Sequence, residues 1–209
     1  MKTRLITTFL FTLLIGFVVL PAHVFATEKA MVRINEGWNL YSLPFVLAKG
    51  KQLTASNLIK EFALQNGTVS TVATWKDGRW QEFVSRENNQ TYGTDFAIEL
   101  GKSYFIRSYN NFDLYAEGES APKPFTVTLT PGYNFVSLPT INQSGYSSAD
   151  LSKEISSLSK NQNVEVSKFD SGLYFSYALT GGKSFGKSFS VNRIGSYVIK
   201  VDNSVDLKK

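Results

Sequence analysis

A stretch near the start of the chain returns almost a hundred residues later, and that recurrence restricts the fold to one built twice. Ile34-Asn35-Glu36-Gly37-Trp38-Asn39-Leu40-Tyr41-Ser42-Leu43-Pro44 corresponds to Leu129-Thr130-Pro131-Gly132-Tyr133-Asn134-Phe135-Val136-Ser137-Leu138-Pro139 at a shift of 95 residues, with Gly, Asn, Ser, Leu and Pro coinciding. Thr54-Ala55 and Lys60-Glu61-Phe62 recur as Ser148-Ala149 and Lys153-Glu154-Ile155. Trp75, Gly78 and Trp80 match Phe169, Gly172 and Tyr174, and Ser103-Tyr104-Phe105-Ile106 returns as Ser196-Tyr197-Val198-Ile199. Preserved order at shifts of 93 to 95 is the signature of an internal duplication. The chain therefore reads as repeat 1 at residues 27–118, a Pro-containing linker at 119–124 and repeat 2 at 125–209.

Each repeat opens with a strand, a turn at Glu36-Gly37 or Pro131-Gly132, and a second strand ended by Pro44 or Pro139. Pro followed by Gly suits the centre of a type II turn, because Pro presets its φ and Gly accepts a positive one. The second strand is apolar on both alternating faces, with Trp38 and Leu40 on one and Tyr41 and Leu43 on the other, so it should be covered on both sides. Asn39 and Asn134 lie where a side-chain amide pairs with turn backbone rather than with a ligand. A helix is expected next, with Ala55, Leu58, Ile59 and Phe62 behind Thr54 as N-cap, and Leu151, Ile155 and Leu158 behind Ser147 or Ser148. Val69 to Trp75 and Trp80 to Val84 form a hairpin around Asp77-Gly78. Tyr104 to Ser108 and Phe112 to Tyr115 add two strands through Asn110-Asn111. Each unit is thus β-β-α-β-β-β-β, an α+β fold of mainly antiparallel strands with one helix. A unit of about 90 residues encloses a small core, so the two should pack together.

Residues 1–26 read as a secretory signal peptide: a basic start at Lys2 and Arg4, a charge-free run from Leu5 to Leu20, and small residues at Val24 and Ala26. That run falls short of the roughly 20 residues needed to cross a bilayer core, which favours cleavage after Ala26 over an anchor. The expected protein is exported, to the cell exterior or surface, or to the periplasm in a host with an outer membrane. The only His, His23, belongs to this leader, and the chain has no Cys. Most nucleophilic catalysis and transition-metal binding therefore lack their usual residues, and neither a metal nor a cofactor is expected. The net charge of +5 loses the contributions of Lys2 and Arg4 on cleavage, leaving no basis for nucleic-acid binding.

Several matches to catalytic patterns carry little weight. Gly181 to Ser188 satisfies the phosphate-loop spacing, but Phe189-Ser190-Val191-Asn192 alternates like a strand where a helix N-terminus would have to cradle phosphate. Ser157-Leu158-Ser159-Lys160 and Ser184-Phe185-Gly186-Lys187 match the serine acyl-enzyme spacing without its partner motifs. Glu82 with Asp95 or Glu99 could serve a glycoside hydrolase, yet the aligned residues of repeat 2 are Ser176, Ser188 and Asn192. Asn66, Asn89 and Asn142 begin formal glycosylation sequons, which matter only in a host with the machinery.

Aromatic residues make up 14% of the chain and supply the main binding candidates. Trp75, Trp80 and Tyr104 could form a platform for a sugar ring or a partner's apolar surface. Their recurrence, with that of Trp38 and Phe83, as Phe169, Tyr174, Tyr197, Tyr133 and Tyr177 argues that they belong first to a duplicated core. Trp80, directly after Gly78-Arg79, is the ring expected to be exposed.

Gly37-Trp38-Asn39-Leu40-Tyr41-Ser42-Leu43-Pro44, Trp75 through Gly78 to Trp80, and Leu100-Gly101-Lys102-Ser103-Tyr104-Phe105-Ile106 together resemble the tandem GWNLxSLP module of exported and cell-surface proteins of bacteria and archaea. Repeat 2 departs from it at Tyr133, Phe135, Phe169, Tyr174 and Ile194. The resemblance implies a non-catalytic extracellular module. The function expected is thus binding or structural, adhesion included, with a cell-surface polysaccharide or protein as partner. A carbohydrate-binding protein with its platform in repeat 1 is the alternative, and a small glycoside hydrolase the second.

Overall fold

The computed structural model describes residues 27–46, 52–76, 78–86, 88, 90–141, 143–160 and 162–209. The expected leader, Asp77 of the first hairpin turn and the sequon residues Asn89 and Asn142 lie outside the described residues. The first half contains β1 (Thr27–Ile34), β2 (Gly37–Ser42), α1 (Ala55–Leu64), β3 (Val69–Lys76), β4 (Arg79–Ser85), β5 (Thr91–Gly93), β6 (Ser103–Ser108) and β7 (Phe112–Glu119). The second repeats that order as β8 (Thr126–Leu129), β9 (Gly132–Ser137), α2 (Ser148–Ser159), β10 (Asn163–Asp170), β11 (Leu173–Thr180), β12 (Lys183–Gly186), β13 (Ser196–Val201) and β14 (Val205–Lys208). Each half holds a five-stranded sheet, in order β2-β6-β3-β4-β5 or β12-β11-β10-β13-β9, and a two-stranded ladder, β1-β7 or β14-β8. These pairings are antiparallel throughout. The α+β, mainly antiparallel fold in two similar halves is what the duplication called for.

Two features go beyond the sequence pattern. A short edge strand, β5 or β12, follows the hairpin in each half; its residues are all exposed, so no alternation marks it. The opening strands also do not pair with each other: β1 pairs with β7, while β2 pairs with β6. At Gly37, and again at Gly132, the chain passes from ladder to sheet with φ of +94° and +97°. A side chain at such a φ is strained, and no neighbouring atom crowds either position, so conformation alone demands Gly. Asn39 fixes the first passage: its Oδ1 accepts from Asn35 N at 2.9 Å, and its Nδ2 donates to Asn35 O at 2.7 Å and Gly37 O at 3.2 Å. Asn134 repeats the pattern, accepting from Thr130 N at 2.9 Å and donating to Thr130 O at 2.8 Å and Gly132 O at 3.1 Å. The motif asparagines are turn clamps, as their position indicated.

Helix α1 starts where Thr54 Oγ1 accepts from Asn57 N at 3.3 Å. For α2 the cap is Ser147, in a capping box with Asp150. Both helices and both ladders cover the same face of their sheets. Ala55, Leu58 and Phe62 of α1, with Ile34, Phe112 and Leu114 of the ladder, pack on Tyr41, Val72, Phe83, Tyr104 and Ile106. In the second half Leu151 and Ile155 join Leu129, Leu207, Val136, Val166 and Ile199. Leu158 departs from the expected stripe and is exposed, because the buried surface of α2 is completed by the small residues Ser148 and Ser152 instead. Pro44 and Pro139 follow the buried Leu43 and Leu138 and end their strands.

The opposite faces of the two sheets meet each other. β2 lies against β10 and β13, and β6 against β9, so the order of layers is helix and ladder, sheet, sheet, helix and ladder. Phe105 sits at the centre of this contact, with ring centroids 5.7 Å from Phe135 and 5.5 Å from Phe169. The backbones also touch, Ser137 N donating to Gly101 O at 3.1 Å. Beyond the sheets, Arg193 pairs with Glu28 and stacks over Phe45 at 5.5 Å, tying the second half to the first strand.

Candidate functional site: an aromatic cleft between the sheets

The hairpin register of β3 and β4 sets Trp75 opposite Trp80 on the face turned toward the second half. Their rings meet edge to face at 5.3 Å. The sheets diverge here, and neither ring is covered: Trp75 is 41% and Trp80 52% exposed. Facing them is the Thr130-Pro131-Gly132 turn that the Asn134 clamp holds rigid, followed by Tyr133 and Phe135 of β9. Trp80 and Phe135 stand 5.7 Å apart, which closes the inner end of the cleft. The resulting cleft has a volume of about 1040 Å³. Its polar lining comes from Thr74, Lys76 and Gln81 on the hairpin and from Glu99 and Lys102 in the loop before β6.

This combination can hold a ring of alternating apolar and hydroxyl surface. Flat indole faces cover C–H groups, and a few amide, carboxylate and ammonium groups at the rim direct hydroxyls. Of the three candidate rings, Trp75 and Trp80 line the cleft and are exposed. Tyr104 is buried: it is 2% exposed, and its hydroxyl accepts from Glu99 N at 2.7 Å and donates to Ala97 O at 3.4 Å. Burial pushes its pKa up to about 12, so it is a neutral core group that holds the Glu99 loop beneath the cleft. Tyr197 does the same at Asn192 in the second half, 2.8 Å from its backbone N.

Assignment of the recurring aromatics to the core needs correction on the faces where the two sheets meet. Phe83, Tyr104, Tyr177 and Tyr197 are buried, but Trp38, Trp75, Trp80, Tyr133 and Tyr174 are all exposed. Recurrence at matching places reflects a duplicated interface as much as a duplicated core, and an interface leaves rings uncovered at its margins. Tyr133, read as part of a structural motif, is a wall of the cleft and is 56% exposed. Phe105 and Phe135 carry the junction, a role no motif assigns to them. The signal for it is large apolar residues on both faces of β6 and β9, as on β2.

The hydrolase candidates separate. Asp95 caps α1, accepting from Ser56 N at 2.9 Å and from Ser56 Oγ at 2.6 Å. Partial burial raises its pKa, but the Ser56, Thr54 and Phe96 hydrogen bonds outweigh this and hold it below the usual carboxylate range. Such a group is committed to the helix terminus and is a poor proton donor. Glu82 lies on β4 and Glu99 at the cleft rim. Gly181 to Ser188 forms a turn and strand β12, with no helix at Lys187-Ser188, which removes the phosphate-loop geometry. Ser157 ends in a hydrogen bond to Glu154 O at 2.8 Å within α2. Among the described residues no three His, Cys, Asp or Glu side chains converge as metal ligands, and no helix is long and apolar enough to cross a membrane. Set against known proteins, the chain matches no family model, no curated sequence and no solved structure.

Proposed function

We propose that this is an exported, non-catalytic binding module that takes a glycan chain in the cleft between its two halves. The reading is carried by the pair of exposed indoles, Trp75 and Trp80, standing 5.3 Å apart over a cleft of about 1040 Å³ whose far wall is another exposed ring, Tyr133. Exposed tryptophans are costly in a protein with no use for them, because such rings favour unwanted association. Support also comes from the preorganised frame. The tryptophan wall is held by the paired strands β3 and β4 and the facing wall by the Asn134-clamped turn, so little ordering is required when a ligand enters. The basic, then apolar, leader supports export, and the cell exterior is where polysaccharide is abundant. The resemblance to tandem cell-surface modules points the same way.

The test is titration of the full chain with a panel of cell-wall and capsular oligosaccharides, followed by tryptophan fluorescence. At least one should quench or shift the emission. Loss of one stacking ring, worth about 1.5 kcal/mol, should weaken binding about tenfold in Trp80→Ala and in Trp75→Ala. Trp38→Ala, on the other flank of the sheet, should bind as the wild type does. Absence of binding across the panel, or unchanged affinity in Trp80→Ala, would overturn the proposal.

A further inference from the structure

A second cleft, of about 1010 Å³, lies on the first sheet near the end remote from Trp75 and Trp80, and among the described residues its lining carries two arginines and no carboxylate. Residues Arg107, Thr71 and Val84 stand side by side across β6, β3 and β4, and Tyr92 follows on β5. At roughly 4.8 Å per strand, Arg107 and Tyr92 are separated by about 14 Å of sheet. Arg86, just after β4, lays its guanidinium 4.6 Å from the Tyr92 ring centroid, and Arg107 lies 5.7 Å from that of Tyr109. Among the described residues neither guanidinium enters an ion pair or a side-chain hydrogen bond, whereas Arg33 and Arg193 are both ion-paired. Glu82, the acidic residue of β4, does not line the cleft.

The floor between the arginines is polar for a sheet interior. The β3 register slips between Val69 and Thr71, which brings the hydroxyls of Ser70 and Thr71 together at 3.3 Å, and Ser85 adds a third. Tyr92 and Tyr109 are 47% and 53% exposed, so each offers ring surface beside its cation. Guanidinium groups bind carboxylate or sulfate in a bidentate fork, and a stacked guanidinium is already oriented for it.

We infer that this cleft is a second glycan site, selective for acidic polysaccharide, in which Arg86 and Arg107 grip the carboxylates of uronic acid residues and the tyrosines pack on sugar rings. An acidic peptide fits less well. The floor consists of strands already paired on both sides, so it offers no backbone partners for an extended chain. The separation of the arginines requires an oligomer rather than one sugar. The site is distinct from the Trp75 and Trp80 cleft and does not depend on it.

Isothermal titration of the full chain with tri- and hexagalacturonate tests this, beside the methyl-esterified oligomers, a sulfated oligosaccharide and poly-glutamate. Hexagalacturonate should bind, more weakly at high salt, and the neutral ester should bind at least tenfold worse. Arg86→Gln with Arg107→Gln should lower the affinity at least tenfold while lowering the thermal midpoint only slightly, since each guanidinium loses no more than its stack on an exposed tyrosine. Arg86→Lys with Arg107→Lys should retain part of it. Trp75→Ala with Trp80→Ala should bind hexagalacturonate as before, which separates this site from the first cleft. Failure of hexagalacturonate to bind, equal binding of the ester, or unchanged affinity in the glutamine variant would overturn the inference. Stronger binding of poly-glutamate would reassign the site to acidic protein. Preference for the sulfated oligosaccharide over the uronate would replace carboxylate by sulfate as the recognised group and overturn the uronate assignment.

Discussion

Ser196 of the second half donates its hydroxyl hydrogen to Ser42 Oγ of the first, 3.0 Å away, and this bond crosses the junction between the sheets. Each serine stands opposite another in its own sheet, Ser42 beside Ser103 and Ser196 beside Ser137. By the duplication Ser103 and Ser137 are the counterparts of Ser196 and Ser42, yet both of their hydroxyls are buried with no partner. The duplication has kept four small residues where two sheets approach closely, but only one of the two related pairs closes its hydrogen bond. A buried, unpartnered hydroxyl costs about 1–3 kcal/mol relative to one in water. Ser103→Ala and Ser137→Ala should therefore raise stability by about 1 kcal/mol each. Ser42→Ala should lower it by a similar amount, about 1 kcal/mol, by stranding Ser196. Urea unfolding midpoints distinguish the opposite signs. Ser137→Leu should cost about 1–3 kcal/mol by forcing the sheets apart.

The clamp asparagines carry a second prediction. Asn39 satisfies three backbone groups of a turn with one side chain, and two of them belong to the single residue Asn35. Asn39→Ala should destabilise the chain by about 2 kcal/mol, the sum of a few modest hydrogen bonds partly replaced by water. Asn39→Asp should be worse, because the carboxylate would face Asn35 O and Gly37 O, which accept and cannot donate. Thermal denaturation of the two variants should rank them in that order below the wild type, and Asn134 should behave alike.

Much of this architecture was legible in the sequence because it depends on local periodicity repeated twice. The helices, the hairpins at Gly78 and Gly172, and the turns at Gly37 and Gly132 follow from caps, φ demands and apolar stripes. What the pattern did not reveal is which strands become neighbours. The chain at Gly37 looks like a hairpin turn, but β1 lies in the ladder with β7, a pairing set by how Ile34 and Phe112 share the core with α1. The cleft was half legible. Trp75 and Trp80 could be named from one repeat, but Tyr133 and Phe135 reach them only after the two halves dock, and docking leaves no local signature. Arg86 and Arg107, more than 20 residues apart in sequence, become partners through strand order alone.

Acid should weaken the fold through Asp95 and Asp150. Both cap helix starts, and both have folded pKa values below the ordinary one, Asp95 despite an opposing contribution from burial and Asp150 through the Ser147 hydroxyl and backbone. A carboxyl whose pKa is lower folded than unfolded stabilises the fold fully above the unfolded value, about 3.9. That stabilisation is lost as pH falls through the folded value. The thermal midpoint should thus hold steady from pH 7 to about 5 and decline below about 4. Asp95→Asn with Asp150→Asn should start lower at pH 7 and show a shallower decline, bringing the curves together in acid. An equally steep decline in the double variant would show that other carboxylates dominate.

Phe105 should decide whether the halves unfold together. Its ring contacts Trp38 at 6.4 Å and Trp80 at 5.7 Å within its own sheet, and Phe135 and Phe169 across the junction. Its counterpart is Val198, so the duplication supplies a ring at this position from the first half alone. Phe105→Ala should remove about 3 kcal/mol, toward the lower end of the range for buried rings because Phe105 itself is half-buried. All three tryptophans lie in the first half, so their fluorescence follows that half, whereas circular dichroism follows both. In the wild type the two signals should change at one denaturant concentration. In Phe105→Ala the shared surface becomes a cavity, and the halves, each with its own core, should separate into two transitions. Phe105→Leu should retain the single transition at a lower midpoint. Coincident signals in Phe105→Ala would mean that the remaining contacts, among them Trp80 with Phe135 and Arg193 with Glu28, are enough to hold the halves in one cooperative unit.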